Sequence, residues 1–353
     1  SFTVIDSLLL SPILSIFFTL LVIVLNTEVM VSWGNVIAQS FISFKFFLFV
    51  PLFFYMNEKG VDFRIFIKPL FLFTVVGTLI NIIFPEFFIN EKTEGFVDRE
   101  FRLVGFQFKP NDMAVLTSFC FGFFLNNKNL FIKSYTRHLY IFIALAIIFL
   151  STSRTGIFVC AIFIFAHVHK RYGIKSYPIF LLLSFGLLQY FSESFIVSQT
   201  VKNFTEFNNI HDSSYIRFIM VYYSGLIAVD YFPLGSGAAT FGTVLSQESF
   251  IYEKYGLGSL EFFADFWGVF DSNLASILGE YGVFSVLFIY FIVYKVVVYR
   301  SKNKFLFRYL FIIFVFISIF QPILSYHINS INFLILLMAF KAASSENNKT
   351  RIL

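Results

Sequence analysis

The feature that most constrains the fold of this chain is the recurrence of apolar runs long enough to cross a lipid bilayer. A transmembrane helix needs about 17 to 25 predominantly apolar residues. Of the 353 residues, 58% are hydrophobic and only 13% are charged, whereas roughly a quarter of the residues of a soluble domain are charged. Apolar surface of this extent, spread evenly along the chain, does not fold around one aqueous core. The composition therefore predicts an all-α polytopic membrane protein.

Ten segments fit a transmembrane helix, since a short run suffices when flanking residues snorkel to the interface. They lie near residues 8–25, 36–56, 64–84, 112–126, 138–151, 155–170, 177–192, 274–299, 305–322 and 326–341. The first run is followed by polar residues without a small-residue cleavage pattern, so a retained span is predicted rather than a signal peptide. Cys120 and Cys160 lie inside apolar runs without metal-ligand spacing, and both are interpreted as packing residues.

The basic residues of the connecting segments predict the orientation, because Lys and Arg favour the cytoplasmic side of short loops. They fall on alternate sides as required, with one side holding Lys59, Arg64, Lys128, Lys133, Arg137, Lys170, Arg171, Lys175, Arg300, Lys302, Lys304, Lys349 and Arg351. The other side receives the segment 26–35, the acidic stretch 85–112, the turn 151–154 and the stretch 191–272. We therefore expect cytoplasmic termini and one membrane domain over residues 1–353. A periplasmic insertion, residues 192–272, would lie between spans 7 and 8.

Within this insertion, one segment has the apolar spacing of an amphipathic helix. Its apolar residues are Ile216, Ile219, Met220, Tyr223, Leu226 and Ile227. Arg217 and Asp230 in the same segment favour a position at the membrane interface rather than across the bilayer. Pro233, followed by Gly235 and Gly237, predicts a turn at its end.

Basic residues at the predicted outer ends of spans are unusual for a membrane protein. They are Arg99, Arg102, Lys109, Arg154 and Arg217. Acidic neighbours offset some of them as surface ion pairs. Arg154 is placed by the turn 151–156 at a helix N-terminus, where free backbone N–H groups favour anions. A guanidinium and hydroxyls at such an end predict a phosphate or pyrophosphate site, and the alternative is an arginine that snorkels to the interface.

Three short segments with the same predicted outer placement carry the first part of a family resemblance. The first is Arg-Leu-Val-Gly at 102–105 followed by Lys-Pro-Asn at 109–111, and the second is Ser-Arg-Thr-Gly at 153–156. The third is Arg217 followed by Pro-Leu-Gly-Ser-Gly at 233–237. Each motif alone is short, but their order and spacing strengthen one another.

The fourth segment is Glu280 with Gly282 and the apolar run after them. With it, residues 100–299 resemble the O-antigen polymerase and ligase superfamily, which are integral membrane glycosyltransferases acting on undecaprenyl-pyrophosphate-linked glycans. The ligases of that family carry a His-Asn pair nine residues before the Glu, where this chain has Asp271 and Ser272. This departure favours a polymerase over a ligase.

The resemblance implies an enzyme of the bacterial inner membrane with its active site facing the periplasm. It implies no metal or other cofactor and no nucleic acid. The implied partners are undecaprenyl-pyrophosphate-linked oligosaccharides, the lipid bilayer, and a chain-length regulator and a flippase of the same pathway.

The resemblance also implies roles for particular residues. Asp271, Arg154 and Arg217 would be catalytic, with Asp271 as general base and the arginines, together with Arg102, holding pyrophosphate. The further substrate-binding residues would be Lys109, Asn111, Ser153, Glu280 and His211.

Three of these assignments have open alternatives. Asp271 at the start of a span is also a candidate helix N-cap. Glu280 lies roughly 180° around an ideal helix from Asp271, so it either pairs with an arginine, shapes the acceptor path or has a structural role inside the bundle. His211 is either an alternative base or a solvated loop histidine. The aromatic residues at 252–270 fit both a sugar-stacking surface and an interfacial belt.

Three rival functions are weighed against the polymerase. A ligase differs from the polymerase in its acceptor. A lipid-linked glycan flippase or another transporter usually places ionisable groups and broken helices in the middle of the membrane. A structural scaffold would leave the outer arginines without a role.

Overall fold

The computed structural model describes residues 32–88, 103–107, 109–127, 131, 133–178, 198, 201–202, 205–206, 213, 215–266, 268–299, 301 and 304–346. All regular secondary structure in these ranges is helical, which confirms the prediction of an all-α chain. The predicted span 8–25, most of the predicted span 177–192, Arg102 and His211 lie outside the described residues.

The helices follow the apolar runs along the chain. They are α1 (Trp33–Ser43), α2 (Lys45–Glu58), α3 (Arg64–Ile83), α4 (Pro110–Asn126), α5 (Ser134–Leu150), α6 (Arg154–Tyr172), α7 (Ile216–Asp230), α8 (Phe250–Lys254), α9 (Glu261–Ala264), α10 (Asn273–Val298), α11 (Lys304–Phe320) and α12 (His327–Glu346). Short 3-10 turns occur at Pro85–Phe88, Gly105–Gln107, Gly173–Lys175 and Leu257–Ser259. Every predicted span that lies within the described residues coincides with one of these helices or with the pair α1 and α2.

Several of these helices are long and apolar enough to cross a membrane. Within the described residues they are Arg64–Ile83, Arg154–Pro178, Asn273–Val298 and His327–Ser344. The pair α1 and α2, bent by 42°, adds a fifth if it forms one span. A membrane protein is therefore supported, whereas the total of ten spans and the periplasmic location of the insertion stay predictions.

Serine caps begin four of the described helices. The hydroxyls of Ser32, Ser153 and Ser272 accept hydrogen bonds from the amide of the third residue of α1, α6 and α10, at 3.2, 3.3 and 3.2 Å. Ser249 caps α8 in the same way, through the amide of its second residue at 3.2 Å. Such a cap satisfies an amide that has no partner inside the helix. Helix α4 instead begins with Pro110 at its first position, where the missing N–H costs nothing.

The chain divides into two compact units. The α7–α10 unit contains the described residues of Ser1–Tyr55, Gln199–Arg300 and Leu310–Ile331, and the α4–α6 unit contains those of Met56–Ser198, Ser301–Tyr309 and Asn332–Leu353. The predicted site residues are distributed over both units.

In the α4–α6 unit, α4 is enclosed over most of its length, from Asp112 to Phe124. Small residues allow α4 and α6 to approach closely, because an added Cβ at Gly156 would meet Ala114 and one at Gly122 would meet the ring of Phe163. The later residue of α4 contacts the later residue of α6. The two helices are therefore parallel, and their N-termini lie at the same end.

In the α7–α10 unit, α7 lies along α10, also in parallel. Arg217 at the start of α7 is close to Asp271, and Phe232 after its end is close to Phe284, with ring centroids 5.9 Å apart. The core between them is apolar, and its buried residues include Met220, Tyr223, Phe241, Tyr252 and Phe263. The predicted helix is confirmed, and five of the six residues predicted for its apolar face are buried against protein, whereas Leu226 is exposed.

Two of the predicted continuous spans are interrupted. The span 36–56 bends between α1 and α2 at Phe44, and the amide of Phe46 donates to the carbonyl of Leu324 at 3.0 Å. The span 274–299 is interrupted at Gly282, whose φ of 73° and ψ of −179° are not helical. Apolar periodicity does not reveal such breaks, because the side chains on both sides of them remain apolar.

Candidate functional site

The predicted site residues fall into two groups, each within one unit. Arg217, Asp271 and Glu280 belong to the α7–α10 unit, whereas Lys109 and Arg154, with Asn111 and Ser153 beside them, belong to the α4–α6 unit. Within each group, segments that are far apart in the sequence are in contact.

The first contact is an ion pair between Arg217 and Asp271. Arg217 Nη2 donates to Asp271 Oδ2 at 3.1 Å, across 54 residues of sequence. The side chains are 17% and 26% exposed, so the pair is shielded but can be reached from outside. The structure therefore brings together two of the three residues predicted to be catalytic.

The position of this pair follows from the helix geometry. Arg217 is the second residue of α7, and Asp271 stands immediately before Ser272, the N-cap of α10. Because α7 and α10 are parallel, their first turns lie side by side. A turn in which the Asp271 amide donates to the Gly268 carbonyl at 3.1 Å fixes the aspartate in front of the helix. The cap is Ser272, so the alternative that Asp271 is the N-cap is wrong.

The surroundings of Arg217 keep its guanidinium charged. Burial by itself lowers the pKa of Arg217, but the charge of Asp271 and the hydroxyl of Tyr215 raise it, and the net pKa lies above its usual value. Arg217 Nη1 donates to the Tyr215 hydroxyl at 3.4 Å, and the guanidinium lies 5.7 Å from the centroid of that ring. Among the described residues, the buried Nε of Arg217 has no hydrogen-bond partner.

Glu280 lies in a different environment, fully buried on α10. Its Oε1 accepts hydrogen bonds from the amides of Thr240 and Phe241 at 3.0 and 3.3 Å, and from the hydroxyl of Thr243 at 2.6 Å. Within the described part of the chain, Oε2 has no hydrogen-bond partner and no arginine forms an ion pair with this carboxyl group. Of the alternatives for Glu280, this geometry favours the structural role, in which one side chain holds a loop on a helix.

That loop also closes the interruption in α10. A helix break leaves the carbonyl groups of the preceding turn without helical donors. The amides of Ser236 and Gly237 donate to the carbonyls of Gly279 and Glu280 at 2.9 and 2.7 Å. Gly282 is required at this point, because an added Cβ would meet the carbonyl of Pro233. The third and fourth motif segments are therefore in direct contact.

The first and second motif segments meet in the α4–α6 unit. Ser153 Oγ donates to Asn111 Oδ1 at 2.8 Å and also caps α6. Ser118 of α4 donates to the carbonyl of Gly156 at 2.9 Å. Thr152, just before the cap, has a φ of 50°, which is uncommon for a β-branched residue. The half-buried Arg154 is the first residue of α6, at an electropositive helix end.

Lys109 is an exposed residue at the N-cap position of α4, next to this contact. The segment before it is held by Asn81 of α3, whose Oδ1 accepts from the amides of Val104 and Gly105 at 2.8 and 3.3 Å. Sequence reasoning missed Asn81, which lies inside an apolar run. The signal in the sequence was the asparagine itself, a polar side chain within an apolar run that needs a hydrogen-bond partner.

The aromatic residues of the insertion divide into two sets. Tyr252 and Phe263 are buried in the core, and the Tyr252 hydroxyl accepts from the Gly242 amide at 2.9 Å. These two residues are therefore not part of a sugar-stacking surface. Phe262, Phe266 and Phe270 are half-buried. Trp267 lies outside the described residues.

Sequence reasoning also missed Tyr215, Thr240 and Thr243, which complete the two polar contacts of the α7–α10 unit. None of them belongs to a motif segment. Their roles depend on loop backbone geometry, which has no periodic signature in the sequence.

No protein-family model and no curated protein matches the chain. The likeness to the O-antigen polymerase and ligase superfamily therefore rests on the four motif segments, and it is a proposal.

Proposed function

We propose that this chain is a polysaccharide polymerase of the O-antigen type. It would transfer a growing glycan from undecaprenyl pyrophosphate to the non-reducing end of a lipid-linked repeat unit, at the periplasmic face of the bacterial inner membrane. The observation that carries the proposal is the contact between Arg217 and Asp271. It supplies a cation for a diphosphate and a carboxylate for a hydroxyl proton within one hydrogen bond of each other.

The reaction requires one bond to form and one to break. The acceptor hydroxyl oxygen forms a bond to the anomeric carbon of the donor, and its proton passes to the Asp271 carboxylate. The bond between the anomeric carbon and the diphosphate oxygen breaks, and the electron pair leaves with undecaprenyl diphosphate. Arg217 stabilises the negative charge that develops on the leaving oxygen. The donor already carries a good leaving group, so no nucleotide is needed.

The second pair of contacting segments supports the same chemistry. Arg154 stands at the N-terminus of α6, beside the hydrogen-bonded Asn111 and Ser153. A helix N-terminus with a guanidinium and hydroxyls nearby suits a phosphate group. We propose that Arg154, with Arg102 and Lys109, binds a phosphate group of a lipid-linked substrate.

Substitutions at the ion pair test the proposal in a bacterium that lacks its own copy of the gene. Arg217→Ala should reduce polymerisation about 100- to 1,000-fold, as loss of a preorganised charge-stabilising donor does. Asp271→Asn should reduce it about 100- to 10,000-fold, as loss of a general base does. The measurement is the ladder of surface glycan lengths, after membrane expression has been verified by immunoblotting. The matched control is Glu248→Gln, an exposed acidic residue of the same insertion.

Each function gives a different pattern in this experiment. A polymerase variant leaves single repeat units attached to the surface lipid. Complete absence of attached glycan would indicate a ligase, and lipid-linked repeats retained on the cytoplasmic leaflet would indicate a flippase. A full-length ladder from both ion-pair variants would refute the assignment of these residues.

A further inference from the structure

The ion pair between Arg217 and Asp271 uses only part of what a guanidinium offers. A guanidinium presents five N–H donors in a planar fork, and its strong contacts with anions engage two of them in parallel. Here one nitrogen donates to one carboxylate oxygen at 3.1 Å. The second contact, to the Tyr215 hydroxyl, is long at 3.4 Å. An anion that accepts more of these hydrogen bonds can therefore displace Asp271 from Arg217.

The Nε of Arg217 favours such an exchange. Within the described residues it is buried without a hydrogen-bond partner. A buried donor without an acceptor costs free energy, which an anion with several oxygens recovers if it engages more than one edge of the fork. A diphosphate carries more acceptor oxygens than Asp271 and more negative charge. Inserting it next to Arg217 also requires that the negatively charged Asp271 move away.

The contact has a consequence for Asp271 as well. Its Oδ2 accepts from Arg217. The oxygen that accepts from the guanidinium is not available to an acceptor hydroxyl while the pair is intact. Separation from Arg217 would leave the carboxylate free to accept the proton of that hydroxyl.

We propose that the diphosphate of the donor displaces Asp271 from Arg217, so that the base is released only when the donor is seated. This inference rests on the proposed function and specifies how its site is regulated. Donor binding precedes activation of the acceptor hydroxyl. The partial exposure of Asp271, 26% of its side chain, leaves room for the released carboxylate to turn toward an acceptor.

Binding of inorganic pyrophosphate to the full chain, purified in detergent micelles, tests the competition without catalysis. Asp271→Asn removes the competing charge at nearly the same side-chain volume. We expect it to bind pyrophosphate about tenfold more tightly than the wild type in a calorimetric titration. Arg217→Ala should lose this binding, and the control Glu248→Gln should bind as the wild type does. Unchanged or weaker binding by Asp271→Asn would overturn the inference.

A second measurement uses the wild-type chain and does not depend on a variant that folds. A water-soluble carbodiimide modifies accessible carboxyl groups, and peptide mass spectrometry reports the extent at each position. If pyrophosphate releases Asp271, its modification should increase when pyrophosphate is added, whereas an anion that merely covers the site would decrease it. Asp230, whose carboxylate accepts from the Tyr255 hydroxyl at 2.5 Å, serves as the internal reference.

The two proposals fail in different ways. Absence of Arg217-dependent pyrophosphate binding in the wild type would count against the diphosphate site of the proposed function, and the exchange would fall with it. Arg217-dependent binding that is unaffected by Asp271→Asn, with reduced carbodiimide modification of Asp271, would overturn the exchange alone.

Discussion

Glu280 accepts hydrogen bonds from three donors of one loop through a single buried oxygen. Replacing it with alanine leaves two backbone amides and a hydroxyl without this acceptor. A buried donor that loses its partner costs about 1–3 kcal/mol. This geometry therefore favours a contribution of Glu280 to stability through the loop that it holds.

We expect Glu280→Ala to lower the thermal unfolding midpoint in detergent by several degrees. Glu280→Gln should lower it less, because its amide oxygen can still accept from the same donors. The control is Glu248→Ala, exposed in the same loop region. A midpoint for Glu280→Ala equal to that of the control would contradict the structural role.

The sequence pointed to Arg217 and Asp271 separately. Arg217 is a basic residue at a predicted outer position, and Asp271 stands where the resembling ligases carry a histidine. Their pairing was not predictable from the sequence. It depends on the parallel packing of α7 and α10, which joins residues 54 positions apart. For Glu280, the sequence indicated only that a carboxyl group on a membrane helix faces the interior.

Among the elements, α4 and α6 depend most directly on small residues. At Gly156 an added Cβ would overlap Ala114 of α4, so even alanine forces the two helices apart. Overpacking of this kind costs about 1–3 kcal/mol. The same contact sets the distance between Asn111 and Ser153, since both residues lie at this end of the pair.

Gly156→Ala should therefore destabilise the α4–α6 unit, whereas Gly225→Ala in α7 should be neutral or slightly stabilising. Gly225 has open space around its Cβ position, and alanine is the better helix former by about 1 kcal/mol. The comparison is made by thermal unfolding of the two variants under identical detergent conditions. Equal midpoints would show that the close approach of α4 and α6 does not limit stability.

The interruption of helix α10 could not be predicted from the sequence. The apolar run predicted one continuous span, and the helix does extend from Asn273 to Val298. The interruption at Gly282 arises because the 233–237 segment packs against the helix backbone, with the carbonyl of Pro233 where a Cβ would stand. A glycine in an apolar run is compatible with both outcomes, and only the tertiary contact decides between them.

At the scale of the whole molecule, the apolar runs were sufficient to predict the class of fold and the approximate bounds of the helices. The total number of spans was not determined in the same way. Helices α4 and α5, each 17 residues long, are shorter than the four that meet the length for crossing a membrane. Orientation depends on charge in the loops, which leaves no trace in helix geometry.

Cysteine labelling tests the predicted orientation. Single cysteines at Glu86 and Glu248, both exposed, should react with a membrane-impermeant maleimide from the outer side. Cysteines at the exposed Lys175 and Lys304 should react only after the membrane is permeabilised. The native Cys120 and Cys160 are buried and should give little background. Labelling of Glu86 and Glu248 from opposite sides would contradict the predicted orientation.

The amides of Ser236 and Gly237 donate hydrogen bonds to carbonyls that have no helical donor because α10 is interrupted at Gly282. This arrangement limits how the insertion can change length during evolution. Added or lost residues at 233–243 would leave carbonyl oxygens bare within a helix long enough to cross the bilayer, where no water replaces the lost donors. Length variation among related chains should accordingly be rare at 233–243.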